Sequence, residues 1–204
     1  MGARHSGSLH GVLAGDPQAA FPLYISAELA LDPAMPDSPI NWTTWRDEML
    51  ATLMFVVCDG QVLLIEKKRG LGAGKINGPG GKIEPGETPL EAVIRETQEE
   101  LCITPQTPRK LGELWFSMTT CPDILCHVFR AEGFTGSPTE TDEAVPLWTP
   151  LDAIPYHRMW ADDRHWLPLL LEQQTFRGRF VFDDESMLWS ELETGLDFES
   201  QASD

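Results

Sequence analysis

The chain has 204 residues, of which 42% are hydrophobic and seven are tryptophan, so it can bury a core and is not a disordered composition. Lysine and arginine number 15 against 32 aspartates and glutamates, which gives a net charge of −17. Such a surface repels long polyanions, so we expect no nucleic-acid polymer as a partner. A small phosphorylated substrate stays compatible with this charge if a cation mediates the contact.

The cysteine pattern and the hydropathy of the chain predict its compartment. No CxxC pair occurs among Cys58, Cys102, Cys121 and Cys126, so we interpret them as reduced thiols rather than zinc ligands. The first residues do not resemble a signal peptide, and no apolar run approaches the roughly 18–20 residues of a membrane helix. We therefore expect a soluble, cytoplasmic protein with no membrane partner, and a monomer is the default.

The N-terminal region differs in composition from the rest of the chain. Residues 1–40 are rich in Gly, Ala, Pro and Ser, so we interpret 1–48 as a loosely ordered extension. Met35 or Met49 is a hypothetical alternative start. Trp42, Trp45 and Met49 follow Pro39 at helical spacing, which predicts a short helix that packs on the domain. The domain is expected over 49–194, followed by an acidic polar tail at 195–204.

The remaining elements follow in chain order. Apolar runs at 51–58 and 61–66 flank Asp59-Gly60, which predicts a β-hairpin. Residues 70–86 form a glycine-dense loop. Further patterns predict helices at 88–101 and 164–173, the second capped by Asp162 or Asp163, and strands at 109–118, 125–131, 145–149, 177–182 and 187–193. Together they predict an α+β fold in which helices cover a central mixed sheet.

The first helix has a well-defined start. Thr88 suits the N-cap, Pro89 suits the first helical position, and Glu91 completes a capping box. Apolar positions recur on one side of the helix, and Glu96, Glu99 and Glu100 fall on another. We expect Arg95 to offset part of the repulsion among these acids, since Glu91 and Glu99 lie one turn on either side of it.

The acidic face is either an ordinary solvated surface or a metal site. The loop Gly78-Pro79-Gly80-Gly81-Lys82 precedes it, and glycine-rich loops bring backbone groups close to a ligand. Clustered hard oxygen ligands suit Mg²⁺, which binds through carboxylates and substrate phosphates. The pattern therefore favours a metal-bridged phosphate site.

The spacing of this region resembles the Nudix box, G-x5-E-x7-R-E-U-x-E-E-x-G-U, in which U is aliphatic. The matching residues are Gly81, Glu87, Arg95, Glu96, Glu99, Glu100 and Ile103. Thr97 replaces an aliphatic residue and Cys102 replaces the last glycine. If position 102 needs a positive φ, cysteine costs about 1 kcal/mol there relative to glycine.

This resemblance implies a Nudix fold, an α/β/α sandwich in which the catalytic helix follows the glycine-rich loop, and a pyrophosphohydrolase activity. Glu96, Glu99 and Glu100, with Arg95 beside them, would form the catalytic group. The implied Mg²⁺ ligands, with Mn²⁺ as an alternative ion, are the Gly80 carbonyl, Glu96, Glu99, Glu100 and Glu143. The proton acceptor is left open among Glu99, Glu100 and Glu143.

Segments at 67–75, 77–78, 159–163 and 166–171 resemble the oxidised-purine nucleoside triphosphatases within this family. That resemblance covers about residues 51–193 and implies a nucleoside triphosphate as substrate. Its implied contacts are Thr52, Lys67, Asn77, Pro79, Gly80, Gly81, Lys82, Phe116, Trp160, Ala161, Asp162, Asp163 and Trp166. Leu71 stands where the mammalian member of this group has an aromatic residue.

The residue chemistry near Trp160 agrees with a purine base, because an indole stacks and two carboxyl groups hydrogen-bond a base edge. Two adjacent buried acids need not both ionise, so one could donate while the other accepts. The alternatives are another Nudix substrate, such as ADP-ribose, a dinucleoside polyphosphate or an RNA 5′ end, and a non-catalytic binding module. His127 and His157 are expected to be structural.

Overall fold

The computed structural model describes residues 37–198, and residues 1–36 and 199–204 lie outside that description. Its helices are α1, Pro89–Leu101, and α2, Asp163–Leu171, with a 3₁₀ turn at Tyr156–Arg158. The strands are β1 Met49–Cys58, β2 Gln61–Lys67, β3 Ile76–Asn77, β4 Ile103–Pro105, β5 Arg109–Met118, β6 Ile124–Ala131, β7 Phe134–Gly136, β8 Ala144–Pro150, β9 Phe176–Asp183 and β10 Ser186–Thr194. Across residues 37–198, no helix is both long and apolar enough to span a membrane.

Eight strands form one mixed sheet in the order β10-β9-β5-β6-β1-β2-β3, and β8 also pairs with β2. The β1–β6 and β5–β9 pairs are parallel, whereas β1–β2 and β5–β6 are antiparallel. Strands β4 and β7 form a separate two-stranded sheet. The predicted mixed sheet is confirmed.

The two helices cover opposite faces of the sheet. Because side chains alternate along a strand, Phe55 and Val57 of β1 pack with α2, whereas Met54 and Val56 pack with α1. Trp166 of α2 stacks on Phe176 with ring centroids 5.6 Å apart. The expected α/β/α sandwich, and with it the α+β class, is therefore confirmed.

Helix α1 begins and ends as its sequence predicts. The Glu91 amide donates to Thr88 Oγ1 at 3.2 Å, and the Thr88 amide donates to a Glu91 carboxylate oxygen at 2.8 Å. Pro89 lies at the first helical position. Cys102 ends the helix with φ 59° and ψ 29°. This is the left-handed conformation that favours glycine, the residue of the Nudix box at this position.

The predicted helix around Trp42 is wrong, although the predicted packing is correct. Residues 42–44 form a turn in which the Trp45 amide donates to the Asn41 carbonyl at 3.0 Å. The chain then extends because Met49 already pairs with Ile124 in the parallel β1–β6 ladder. The Trp45 ring stacks on Trp115 of β5 with centroids 5.1 Å apart.

The predicted carboxylate cap of the second helix is also wrong. Asp162 occupies the N-cap position, but its side chain makes no capping hydrogen bond. Its Oδ2 atom accepts instead from the Trp166 indole at 2.8 Å, and Asp163 Oδ2 accepts from the Trp160 amide at 2.8 Å. The acids therefore point into the protein rather than along the helix axis.

Candidate active site

The glycine-rich loop lies along β1 through backbone hydrogen bonds. The Met54 amide donates to the Pro79 carbonyl and the Thr52 amide donates to the Gly81 carbonyl, both at 2.8 Å. Gly80 has φ 153°, and a Cβ atom there would lie 2.0 Å from the Thr52 carbonyl oxygen. The close approach of loop and strand therefore requires glycine at this position.

Helix α1 is attached to this loop by a buried carboxylate. Glu100 Oε2 accepts from the Gly80 amide at 2.8 Å, and Glu100 Oε1 lies 3.1 Å from Lys67 Nζ. Lys67 Nζ also donates to the Gly80 carbonyl at 3.4 Å. Burial raises the pKa of the Glu100 carboxyl, and the Lys67 ammonium opposes that shift.

Arg95 connects three further acids, two in the helix and one just before it. Its guanidinium contacts Glu87 at 2.6 Å, Glu96 at 2.7 Å and Glu99 at 3.0 Å. Hydrogen bonds from Arg95 lower the pKa of Glu87 to about 2. The predicted pairing with Glu99 is confirmed, whereas Glu91 bonds to Thr88 rather than to Arg95 because it completes the capping box.

A cavity of about 470 Å³ joins the acidic helix to the region around Trp160. Its wall includes both the helix acids Glu96 and Glu100 and the group Trp160, Asp162 and Asp163. Nine further residues expected at the site also contact this space: Thr52, Lys67, Asn77, Gly80, Gly81, Lys82, Phe116, Glu143 and Trp166.

Four expected residues are not part of that wall: Arg95, Glu99, Pro79 and Ala161. Arg95 contacts Glu96 and Glu99 instead. More than half of the Glu99 side chain, 54%, is exposed. The Pro79 carbonyl supports the loop by accepting from the Met54 amide. No described side-chain contact gives Ala161 a comparable role.

Asp162 and Asp163 are almost completely buried, each 2% exposed. Burial raises the pKa of Asp162 to about 6. Burial and then the neighbouring Asp162 raise the pKa of Asp163 well above its usual value. The expectation that two adjacent buried acids do not both ionise is consistent with these directions.

The NUDIX domain family matches residues 48–170, which is more than half of the chain. The chain belongs to the Nudix family. It is 44% identical over 140 residues to the oxidized purine nucleoside triphosphate hydrolase of Danio rerio, an alignment that covers 68% of this chain and 90% of that protein. The Mus musculus protein of the same name is 42% identical over 142 residues, covering 69% and 91% respectively.

The same family appears among solved structures. The MutT protein of Bacillus halodurans is 29% identical to this chain and superposes with a TM-score of 0.63. The match covers 71% of this chain and 97% of the bacterial protein. Helix α1 and the loop before it can therefore be named the Nudix helix and the Nudix loop.

Nudix hydrolases generally use a divalent metal ion, and the donors at the Nudix helix suit one chemically. Glu96 and Glu100 supply carboxylate oxygens beside the Gly80 carbonyl on one wall of the cavity. A Cβ atom at Gly81 would lie 2.5 Å from Glu96 Oε2, so the loop leaves that carboxylate room. Within residues 37–198, no three acidic, histidine or cysteine side chains are already gathered as a metal cluster. Instead, Arg95 contacts Glu96 and Lys67 contacts Glu100.

The sequence reasoning missed most of the apolar wall of the cavity. Strand β5 contributes Leu114 and Met118 on the same face as Phe116, and β6 contributes Ile124 and Cys126. Strand periodicity of two places 114, 116 and 118 together, so this signal was available once Phe116 was chosen. The Ile124 and Cys126 contacts depend on strand order, which the sequence alone does not reveal.

Proposed function

We propose that this Nudix hydrolase cleaves oxidised purine nucleoside triphosphates, such as 8-oxo-dGTP and 2-hydroxy-dATP, in a Mg²⁺-dependent reaction. The products are the nucleoside monophosphate and pyrophosphate, so the activity would remove oxidised nucleotides from the pool. The observation that carries the proposal is the single cavity that joins Glu96 and Glu100 to Trp160, Asp162 and Asp163. The names of the fish and mouse relatives support it.

The acidic end of the cavity would hold the ion and the triphosphate. Glu96, Glu100 and the Gly80 carbonyl are the proposed ligands, with Glu99 and Glu143 nearby to complete the set. When bound, Mg²⁺ supplies polarisation of the phosphate oxygens and a lower pKa for a water molecule. The Nudix loop amides and Lys82 would face the phosphates, because the loop and Lys82 contact the cavity.

The cleavage step is a displacement at phosphorus. A water oxygen forms a new P–O bond, the bridging anhydride P–O bond breaks, and pyrophosphate departs. A glutamate accepts the proton of the water. We favour Glu100 over Glu99 for that role because Glu100 lines the cavity, and Glu143 stays the alternative because it also lies there.

The opposite end would select the base. The Trp160 indole offers a stacking surface, and the raised pKa of Asp163 favours one protonated acid beside an ionised one. A protonated carboxyl donates a hydrogen bond and a carboxylate accepts one. Thr52 Oγ1 is buried on the cavity wall and has no protein partner among the described residues, which fits a ligand contact.

A substrate panel tests the proposal. We expect hydrolysis of 8-oxo-dGTP and 2-hydroxy-dATP to exceed that of dGTP and ADP-ribose, with Mg²⁺ required and Mn²⁺ able to replace it. Preference for ADP-ribose or a dinucleoside polyphosphate would instead identify another Nudix substrate. Nucleotide binding without turnover in the presence of either metal would identify a non-catalytic module. The bounds of 49–194, the monomeric state and the cytoplasmic location stay predictions.

A further inference from the structure

The Trp160 ring carries a cation against one face. Lys75 Nζ lies 4.9 Å from the ring centroid, within the range of a cation–π contact. Trp160 lines the cavity but Lys75 does not. The ammonium therefore contacts an indole that lines the cavity without itself being part of the cavity wall.

Glu185 fixes Lys75 in this position. Glu185 Oε2 lies 3.0 Å from Lys75 Nζ, and the Lys75 side chain is 21% exposed. Lys75 belongs to the loop between β2 and β3, whereas Glu185 belongs to the turn between β9 and β10. An exposed ion pair contributes little to stability by itself. The contact of the paired Lys75 ammonium with the indole is therefore the feature that suggests a role.

The β2–β3 loop and strand β9 contact other edges of the indole. A Cβ atom at Gly72 would lie 3.0 Å from Trp160 Nε1, so the loop backbone packs directly against the ring. Phe182, at the end of β9, contacts the ring edge-on with centroids 5.9 Å apart and an interplanar angle of 85°. A backbone hydrogen bond also orders the β2–β3 loop, since the Lys75 amide donates to the Gly72 carbonyl at 2.9 Å.

We propose that Lys75, held by Glu185, is a positioning residue that fixes the Trp160 ring for stacking and so determines affinity for the purine base. This inference rests on the proposed function. It predicts a change in base binding without a matching change in the cleavage step, because Lys75 lies outside the cavity that holds the reacting phosphates.

Four variants test the proposal: Lys75→Gln, Glu185→Gln, the conservative Lys75→Arg, and the control Arg109→Gln. Arg109 contacts Gln173 and does not line the cavity, so its substitution removes the same charge elsewhere. We expect Lys75→Gln and Glu185→Gln each to raise the KM for 8-oxo-dGTP about three- to tenfold, with kcat changed less than about twofold. Lys75→Arg and Arg109→Gln should keep the wild-type KM.

The two glutamine variants change net charge in opposite directions, so an effect of general electrostatics would move their KM values in opposite directions. Calorimetric binding of 8-oxo-dGMP should weaken in both variants, while inhibition by pyrophosphate should stay unchanged. Opposite KM shifts, an equal loss of pyrophosphate inhibition, or wild-type KM in Lys75→Gln would overturn the proposal.

A spectroscopic measurement separates this inference from the substrate assignment. The near-UV circular dichroism difference between wild type and Trp160→Phe isolates the signal of the positioned ring. We expect Lys75→Gln and Glu185→Gln to lose most of that signal, and Lys75→Arg to keep it. If the signal is lost but the wild type binds no oxidised nucleotide, the positioning role stands and the substrate proposal fails. If both glutamine variants keep the full signal, the positioning role is wrong.

Discussion

Glu100 and Lys67 form an ion pair in which the carboxylate is only 1% exposed and the ammonium is 20% exposed, with 3.1 Å between Oε1 and Nζ. The pair connects the Nudix helix to the end of β2 at the Nudix loop. Because a buried carboxylate is costly unless it is paired, the lysine stabilises the arrangement as well as facing the cavity.

We expect Lys67→Met to destabilise the protein by about 1–3 kcal/mol at pH 7 because it leaves the buried carboxylate with one hydrogen bond. Burial already raises the pKa of Glu100, so the penalty for its buried charge is present above that raised pKa and disappears as the pH falls through it and the carboxyl is protonated. Urea unfolding at pH 7.5 and pH 4 should therefore show the larger loss at pH 7.5. Lys68→Met is the control because its partner Glu140 is 62% exposed, and equal losses in both variants would contradict the argument.

Glu96→Gln tests the acidic end of the site. We expect kcat on 8-oxo-dGTP to fall at least about a hundredfold, since the amide is a poorer ligand for a divalent ion. The midpoint of thermal unfolding should change little because Glu96 is partly exposed and Arg95 keeps its ion pairs with Glu87 and Glu99. Glu132→Gln, at a carboxylate that is 64% exposed, is the control. Full activity of Glu96→Gln would show that the ligand assignment is wrong.

The buried acid pair predicts a pH-dependent base affinity. The pKa of Asp162 is raised to about 6, and that of Asp163 is raised well above its usual value, so the pair favours a state in which one acid accepts while the other donates. Below about pH 6 both carry protons and the acceptor is lost, so the KM for 8-oxo-dGTP should rise as pH falls from 7 to 5. Asp162→Asn and Asp163→Asn should each alter the ratio of kcat/KM for 8-oxo-dGTP and 2-hydroxy-dATP. Unchanged selectivity in both variants would sink the hypothesis.

The parts of the fold that the sequence predicted depend on local chemistry. Asp59-Gly60 adopts positive φ at both residues between β1 and β2, and the capping box of Thr88 and Glu91 starts the Nudix helix. Both patterns act within a few residues, so the amino acids alone specify them.

The features of the fold that could not be predicted from the sequence depend on contacts between residues outside the local pattern. Strands β4 and β7 are three residues each and exist because 103–105 pairs with 134–136. The Asp162 carboxylate was expected at a helix cap, but Trp166 one turn later offers a buried donor at 2.8 Å. Local propensity does not report such tertiary contacts.

The burial of Trp45 predicts that the segment before β1 contributes to the stability of the domain. Its side chain is 8% exposed and stacks on Trp115, although it lies before the residues that match the NUDIX domain family. We expect Trp45→Ala to cost about 3 kcal/mol in urea unfolding because it opens a cavity beside β5. Trp148→Ala is the control, since Trp148 is 37% exposed and should cost less than half as much. Activity per folded molecule should be unchanged in both, and a neutral Trp45→Ala would show that this packing does not stabilise the domain.

Cys102 departs from the glycine of the Nudix box, and its backbone conformation shows what this departure costs. It has φ 59° and ψ 29°, and its amide still donates to the Gln98 carbonyl at 2.9 Å. A cysteine in this left-handed conformation is strained by the contact of its Cβ atom with the backbone, whereas glycine is not. We expect Cys102→Gly to raise the free energy of unfolding by about 0.5–1 kcal/mol, net of the greater entropy of glycine in the unfolded chain. Cys102→Ala removes the exposed thiol but keeps the strained Cβ atom, so it should leave stability unchanged. A gain in the alanine variant equal to that in the glycine variant would assign the effect to the thiol instead of to the backbone.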